Sequence, residues 1–193
     1  FDSRLVKDGF LFVAVNGIET DGHNFISKAV ENGAIAVVCE KNQTYKGITV
    51  IEVEDSVKAL GIIASNFYDN PSAKLKLVGI TGTNGKTTTA SILGSLLTAH
   101  GASVHVMGTL TGARTTPESI DLHAQLRTCV DSGVDHVVME VSSHALEHRR
   151  VDGIVFDVVI FTNLGHDHLD FHGTMENYFS AKRRLFASEL ARA

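Results

Sequence analysis

A chain of 193 residues is long enough for one large or two small domains, and 44% apolar residues supply real cores. A net charge of −5 argues against a broad nucleic-acid-binding surface, and no apolar run reaches membrane-spanning length. Cys39 and Cys129, each in an apolar run, predict buried reduced thiols and a reducing compartment rather than a disulfide framework. No signal-peptide pattern opens the chain, which starts at Phe1 and stops at "ASELARA"; a piece of a longer protein is expected.

The first elements predict a small α/β unit. Strands are expected at Phe10–Val15, Ala34–Cys39 and Ile48–Val53. Helices are expected at His23–Asn32, ended by Gly33, and at Asp55–Tyr68. A polar, Pro-containing link, "YDNPSAKLK", follows and suggests a boundary at residues 72/73.

Beyond the link, strands alternate with helices, so a mostly parallel sheet covered on both faces is expected. "LKLVGI" reads as a buried strand, followed by a helix with Ile92, Leu93, Leu96 and Leu97 inward and Gly101 as its stop. "SVHVM", "HVVMEV" and "FDVVIF" are further strands. Pro117 suits the first turn of a helix capped by Thr116, with Leu122, Leu126, Cys129 and Val130 on one face. The loop Thr109–Ser119 then falls at the carboxyl edge of the sheet, where ligands bind.

"GITGTNGKTTT" joins a buried strand to a helix start, the setting of a phosphate loop. The usual glycine five residues before Gly85 is Ile80, so Gly82 is expected to take its part. Gly82 and Gly85 let the backbone N–H groups of Thr83 and Asn84 turn toward an anion, and the helix dipole adds to this. Lys86 then faces β/γ-phosphates and Thr87 a Mg²⁺ ion. Glu140 closes "HVVMEV" in the place of a second metal-site acid, the alternative being a strand-end acid in solvent.

"TNLGHDHLDFHG" is rich in His and Asp. A zinc-hydrolase pattern would use His166, His168 and Asp170, but Phe171 follows and His172 comes one position late. The stretch Thr174–Ser188 reads as helical, with Met175, Tyr178, Phe179, Lys182 and Phe186 on one stripe. Lys182 on such a stripe either snorkels from its edge or, beside a metal, needs conversion to an anionic carbamate.

Taken in order, "DSR", "LFVAVNG", "DGHNFISKAVENGAIAVV", "GITGTNGKTTT", "RTTPES", "MEVSSHAL", "FTNLGHDHLDFHG" and "NYFSAK" resemble the Mur ligase family over nearly the whole chain. Within it they resemble the branch acting on a muramoyl-dipeptide. The resemblance implies a UDP-sugar-binding domain at 1–72 and an incomplete P-loop ATPase domain at 73–193, with a C-terminal domain lying outside this sequence. It implies an ATP- and Mg²⁺-dependent, monomeric, cytoplasmic ligase that adds a diamino acid, meso-diaminopimelate or L-lysine, to the D-Glu carboxylate of UDP-MurNAc-L-Ala-D-Glu. No membrane insertion is expected. Ser3 and the turn "GIETDG" would meet the uridine nucleotide. Thr115, Thr116, Ser142 and Arg150 would bind the muramoyl-peptide, with His148 standing where many relatives carry Gln. Lys86, Glu140, His168 and Lys182 would be catalytic. Thr87, Glu140, His168 and Lys182, the last as its carbamate, would hold magnesium. Thr88 and Asn163 would join the phosphate loop in binding ATP, and Asp167 would support the metal site. Another Mur-type amide ligase, a cyanophycin-synthetase-like domain or a non-catalytic nucleotide-binding module are the competing functions.

Overall fold

The computed structural model describes residues 1–17, 20–41, 45 and 47–192. The chain divides into two compact units, Phe1–Leu60 and Gly61–Ala193. In the first, β1 (Leu11–Val13), β2 (Ala36–Cys39) and β3 (Thr49–Glu52) form a parallel sheet in the order β1-β2-β3. Helix α1 (Ile26–Glu31) follows a 3-10 turn, Gly22–Phe25, whose first N–H groups are capped by Asp21. Phe12, Ala14, Ile26, Ala29, Val37 and Cys39 make the core. The first strand is shorter than its apolar run because local turns take the flanking backbone. Phe10 N–H donates to Lys7 O, and Val15 O accepts from Gly22 N–H. Helix α2 (Ser56–Phe67) crosses the division between the units.

The second unit holds β4 (Lys76–Thr81), β5 (Val104–Met107), β6 (His136–Glu140) and β7 (Val158–Phe161), all parallel, in the order β5-β6-β4-β7. Successive strand residues point to opposite faces and feed two cores. Leu77, Val137, Met139 and Phe156 pack with Leu122 and Leu126 of α4 (Ser119–Asp131) and Leu146 of α5 (Ser143–Glu147). Val78, Ile80 and Val138 pack with Ala90, Leu93 and Leu97 of α3 (Lys86–Ala99). Cys39 and Cys129 are both buried free thiols. No helix among the described residues is long and apolar enough to cross a membrane.

Three sequence expectations are corrected. Ile92 and Leu96 do not face inward; they are 56% and 62% exposed, because α3 turns Ala90, Leu93, Gly94 and Leu97 to the sheet. Thr116 does not cap α4, whose N-cap is Glu118; the Thr116 hydroxyl is spent elsewhere. The last helix is α7 (Met175–Arg183), followed by a 3-10 turn, Arg184–Phe186. Its buried stripe is Tyr178, Ala181, Lys182 and Leu185, whereas Phe179 and Phe186 are more than two-fifths exposed.

Candidate active site

All four strands of the second sheet run the same way, so the loops after β4, β5, β6 and β7 emerge at one carboxyl edge. The loop after β4 is Gly82–Gly85, leading into α3. Ile80, where a glycine is customary, is a fully buried β4 residue. Gly82 carries the unusual backbone instead, at φ +143°. A Cβ there would lie 1.9 Å from Thr162 Oγ1, so only glycine lets the loop pass that close to the end of β7.

That closeness is used. Asn84 N–H donates to Asn163 Oδ1 and Asn163 Nδ2 donates to Asn84 O, both at 3.1 Å. Thr83 N–H donates to Asn163 O, and the Thr162 hydroxyl donates to Asn84 O at 2.7 Å. Asn163, expected at the nucleotide, holds the loop and takes the Thr83 and Asn84 N–H groups expected to face an anion. Lys86 Nζ folds back to donate to Gly82 O (3.0 Å) and Thr83 O (2.9 Å). Burial lowers its pKa, with Glu140 and Asp167 pulling it back up. Thr88 is exposed in the first turn of α3.

Glu140 is 2% exposed, which removes the solvent-facing alternative. It pairs with Ile80 across β6 and β4, opposite the start of the phosphate loop. The Thr87 hydroxyl donates to Glu140 Oε2 at 2.9 Å. Thr109 N–H donates to Oε1 (3.0 Å) and its hydroxyl to Oε2 (3.3 Å). Gly108 makes the room, since a Cβ there would meet Oε1 at 2.1 Å. Neither Gly108 nor Thr109 stands out in sequence, because only folding brings their strand end beside Glu140.

β6 and β7 are the two neighbours of β4, so Glu140 and the segment after Phe161 flank the phosphate loop from opposite sides. In that segment His168 has φ +51°, a 45% exposed side chain, and a ring centroid 4.8 Å from that of His144. Among the described residues no hydrogen bond joins His168 to Glu140 or Thr87. His172, the last residue of α6 (Leu169–His172), is buried with Nε2 3.0 Å from Ser143 Oγ. Burial lowers the pKa values of His144, His148 and His172, so this cluster favours neutral imidazoles.

Lys182 is 1% exposed and does not snorkel. Its Nζ donates to Gly82 O at 2.7 Å and lies 4.3 Å from the Tyr178 ring centroid. Burial, then Lys86, push its pKa down to about 8 against the opposing pull of Asp167.

The expected muramoyl-peptide residues fall on the other loops of the same edge. Thr116 is fully buried, donates to Glu140 O (3.0 Å) and accepts from Ser142 N–H (3.1 Å). Ser142 Oγ caps α5 by accepting from Ala145 N–H. Thr115 Oγ1 lies 3.0 Å from Thr109 Oγ1. Arg150 Nη2 pairs with Glu118 Oε1 at 2.9 Å, and its buried Nε has no partner among the described residues. His148 packs on Phe171. A cleft of about 690 Å³ opens between β5, α4 and the Gly108–Glu118 loop, but no phosphate-loop residue lines it. In the first unit, Ser3 sits in a short 3-10 turn, its carbonyl accepting from Asn32 Nδ2. The expected "GIETDG" turn includes Ile18 and Glu19, which lie outside the described residues.

A strand, a glycine-governed loop, Lys86-Thr87 at a helix start and a buried acid on the neighbouring strand together define a P-loop nucleotide-binding α/β protein. The chain belongs to the Mur ligase family: a family model described as Mur ligase middle domain matches residues 80–192, and one described as Mur ligase family, catalytic domain, matches residues 1–68. It is 49% identical to the UDP-N-acetylmuramoyl-L-alanyl-D-glutamate–2,6-diaminopimelate ligase of Clostridium tetani, over 98% of this chain and 42% of that protein. It is 50% identical to ligase 1 of that name from Clostridium acetobutylicum, over 96% of this chain and 41% of that protein. A solved UDP-N-acetylmuramoyl-L-alanyl-D-glutamate–2,6-diaminopimelate ligase superposes with a TM-score of 0.84 at 31% identity, over 96% of this chain and 40% of that one. MurF ligase from Thermotoga maritima in complex with ADP gives 0.63 at 29% identity, over 95% and 41%. The chain thus spans about two-fifths of the length of these relatives.

Proposed function

We propose that this chain is the nucleotide-binding part of an ATP-dependent ligase that joins 2,6-diaminopimelate to the D-Glu carboxylate of UDP-MurNAc-L-Ala-D-Glu. The observation that carries the reading is the convergence of Lys86, Thr87, Glu140 and Lys182 on one phosphate loop. Names of relatives at 49–50% identity supply the substrate and the amino acid. Residues 1–72 form the UDP-sugar domain, with Ser3 at the nucleotide, and 73–193 the ATP domain; the protein works as a cytoplasmic monomer.

Carboxylate and amine do not condense usefully in water, so the carboxylate first takes the γ-phosphoryl group of ATP. The C–O–P bond formed makes an acyl phosphate and ADP leaves; the amine attacks the acyl carbon, loses its proton, and phosphate departs. Lys86 leaves its loop carbonyls to meet the phosphates and offsets repulsion between the two anions. Asn163 and Thr162 hold the Gly82–Gly85 loop, and Asn163 takes the Thr83 and Asn84 N–H groups, so the phosphates are met by the first N–H groups of α3 that follow Gly85. Arg150 turns its guanidinium from Glu118 to the anionic muramoyl-peptide, beside Thr115, Ser142 and His148; Thr116 acts by holding that loop to Glu140.

The donor set at Thr87 and Glu140 is hard oxygen in direct contact, which fits Mg²⁺. Bound there, magnesium ions supply positive charge at the phosphates. A second magnesium would be held by Lys182 as a carbamate, not as an ammonium, together with His168. The test is phosphate release by the full-length protein with ATP and diaminopimelate. UDP-MurNAc-L-Ala-D-Glu should stimulate release at least tenfold more than UDP-MurNAc-L-Ala or UDP-MurNAc. Equal stimulation by all three would overturn the substrate, and none by any would overturn the ligase.

A further inference from the structure

Tyr178 has no exposed surface and touches four pieces of the candidate site. Its hydroxyl lies 3.1 Å from Thr83 Oγ1 in the phosphate loop. Its ring carries Lys182 Nζ 4.3 Å from the centroid. The rings of His172 and His168 lie 5.1 Å and 6.1 Å from it, centroid to centroid. An apolar residue would fill this place in the stripe of α7, so the hydroxyl and the π face need an account of their own.

The donor inventory supplies one. Thr83 Oγ1 accepts from Gly165 N–H at 2.9 Å and reaches Gly165 O at 3.3 Å. A hydroxyl has one proton and two lone pairs. Gly165 N–H fills one lone pair and Gly165 O takes the proton, so the Tyr178 O–H donates into the second lone pair. Thr83 is then fully used, and the phosphate loop is tied both to α7 and to the segment leading to His168. One turn along α7, Lys182 donates to the carbonyl of Gly82, the residue before Thr83. Before any carbamate forms, the buried Lys182 ammonium, with one hydrogen bond to a neutral carbonyl, gains from the π face beneath it.

We infer that Tyr178 is a positioning residue that locks the phosphate loop and Lys182 to each other, its hydroxyl setting Thr83 and its ring setting Nζ. It acts on the phosphates of a nucleotide through the loop and touches no substrate itself. The inference rests on the nucleotide-binding reading above.

The experiment uses full-length protein, with ADP titrated calorimetrically and amide hydrogen exchange followed without nucleotide. Tyr178→Phe removes only the hydroxyl. ADP affinity should fall about 3- to 10-fold, the size of one hydrogen bond, and exchange across residues 82–85 should speed up by a similar factor. Thr83→Val, which also loses both bonds to Gly165, should cost more than Tyr178→Phe, and the double variant should be no worse than Thr83→Val alone. Thr83→Ser should restore both readouts. Unchanged exchange in Tyr178→Phe, fully additive variants, or a lowered melting temperature with neither readout altered would each overturn the inference. Wild-type protein that fails to bind ADP would overturn the nucleotide reading instead, while faster loop exchange in Tyr178→Phe would still uphold the lock.

Discussion

Lys86 and Lys182 donate to the same acceptor, the carbonyl oxygen of Gly82, at 3.0 Å and 2.7 Å. Two cations meeting on one neutral oxygen is a costly arrangement; burial lowers the pKa of both lysines, and Lys86 lowers that of Lys182 further. It is eased when an anion enters between them.

The first prediction follows from Lys182. Its pKa of about 8, below the ordinary 10.5, means the fold disfavours the ammonium. The unfolded chain then binds more protons between those values, so this group's contribution to stability rises from pH 8 toward 10.5 and is least below 8. Thermal melts should show wild type gaining on Lys182→Met across that window. The neutral amine is also the form that adds CO₂. With ¹³C-bicarbonate, a carbamate resonance should grow from pH 7 to 9 in wild type and be missing in Lys182→Arg.

Gly82→Ala tests the backbone. The new Cβ meets Thr162 Oγ1 and strains a φ of +143°. A cost of about 1–3 kcal/mol in denaturant unfolding is expected, together with loss of ADP binding. Full ADP affinity in this variant would mean the loop does not need that geometry.

Glu140→Gln keeps the shape but sets an NH₂ against donors from Thr87 and Thr109. Turnover should fall by at least about 100-fold, as for loss of one charge-stabilising group, and added Mg²⁺ should no longer tighten ATP binding. Calorimetry with and without Mg²⁺ checks this.

Arg150→Met separates the two substrates. The KM for the UDP-muramoyl-dipeptide should rise about 10- to 100-fold, the range for a charged hydrogen bond, while the affinity for ADP stays within about 2-fold. Steady-state kinetics beside ADP titration gives both values; parallel losses would remove Arg150 from substrate binding.

The parallel α/β class and the phosphate loop were legible in the sequence, because continuous apolar runs, G-K-T after a buried strand and breaks at Gly and Pro act locally. Glu140 was legible for the same reason, as an acid closing an apolar strand. Lys182 was visible as a misfit on an apolar stripe, though the neighbours of that stripe were partly misassigned. Helix periodicity alone does not say which of Phe179, Ala181, Leu185 or Phe186 meets the core.

What tertiary structure alone decided was the company each residue keeps. Thr116 looked like a helix cap because hydroxyls before helices usually are; instead its one proton goes to Glu140 O across the sheet. Ile92 and Leu96 looked inward because α3 is apolar on more than one side, and only the sheet beneath it selects Leu93 and Leu97. Gly108, Thr109 and Tyr178 join the candidate site because parallel strand pairing delivers chain segments far apart in sequence to one edge. Local propensity is written within a few residues, whereas hydrogen-bond and charge partners tens of residues away, 24 for Thr116 and Glu140 and 95 for Thr83 and Tyr178, exist only after the strands have chosen their neighbours.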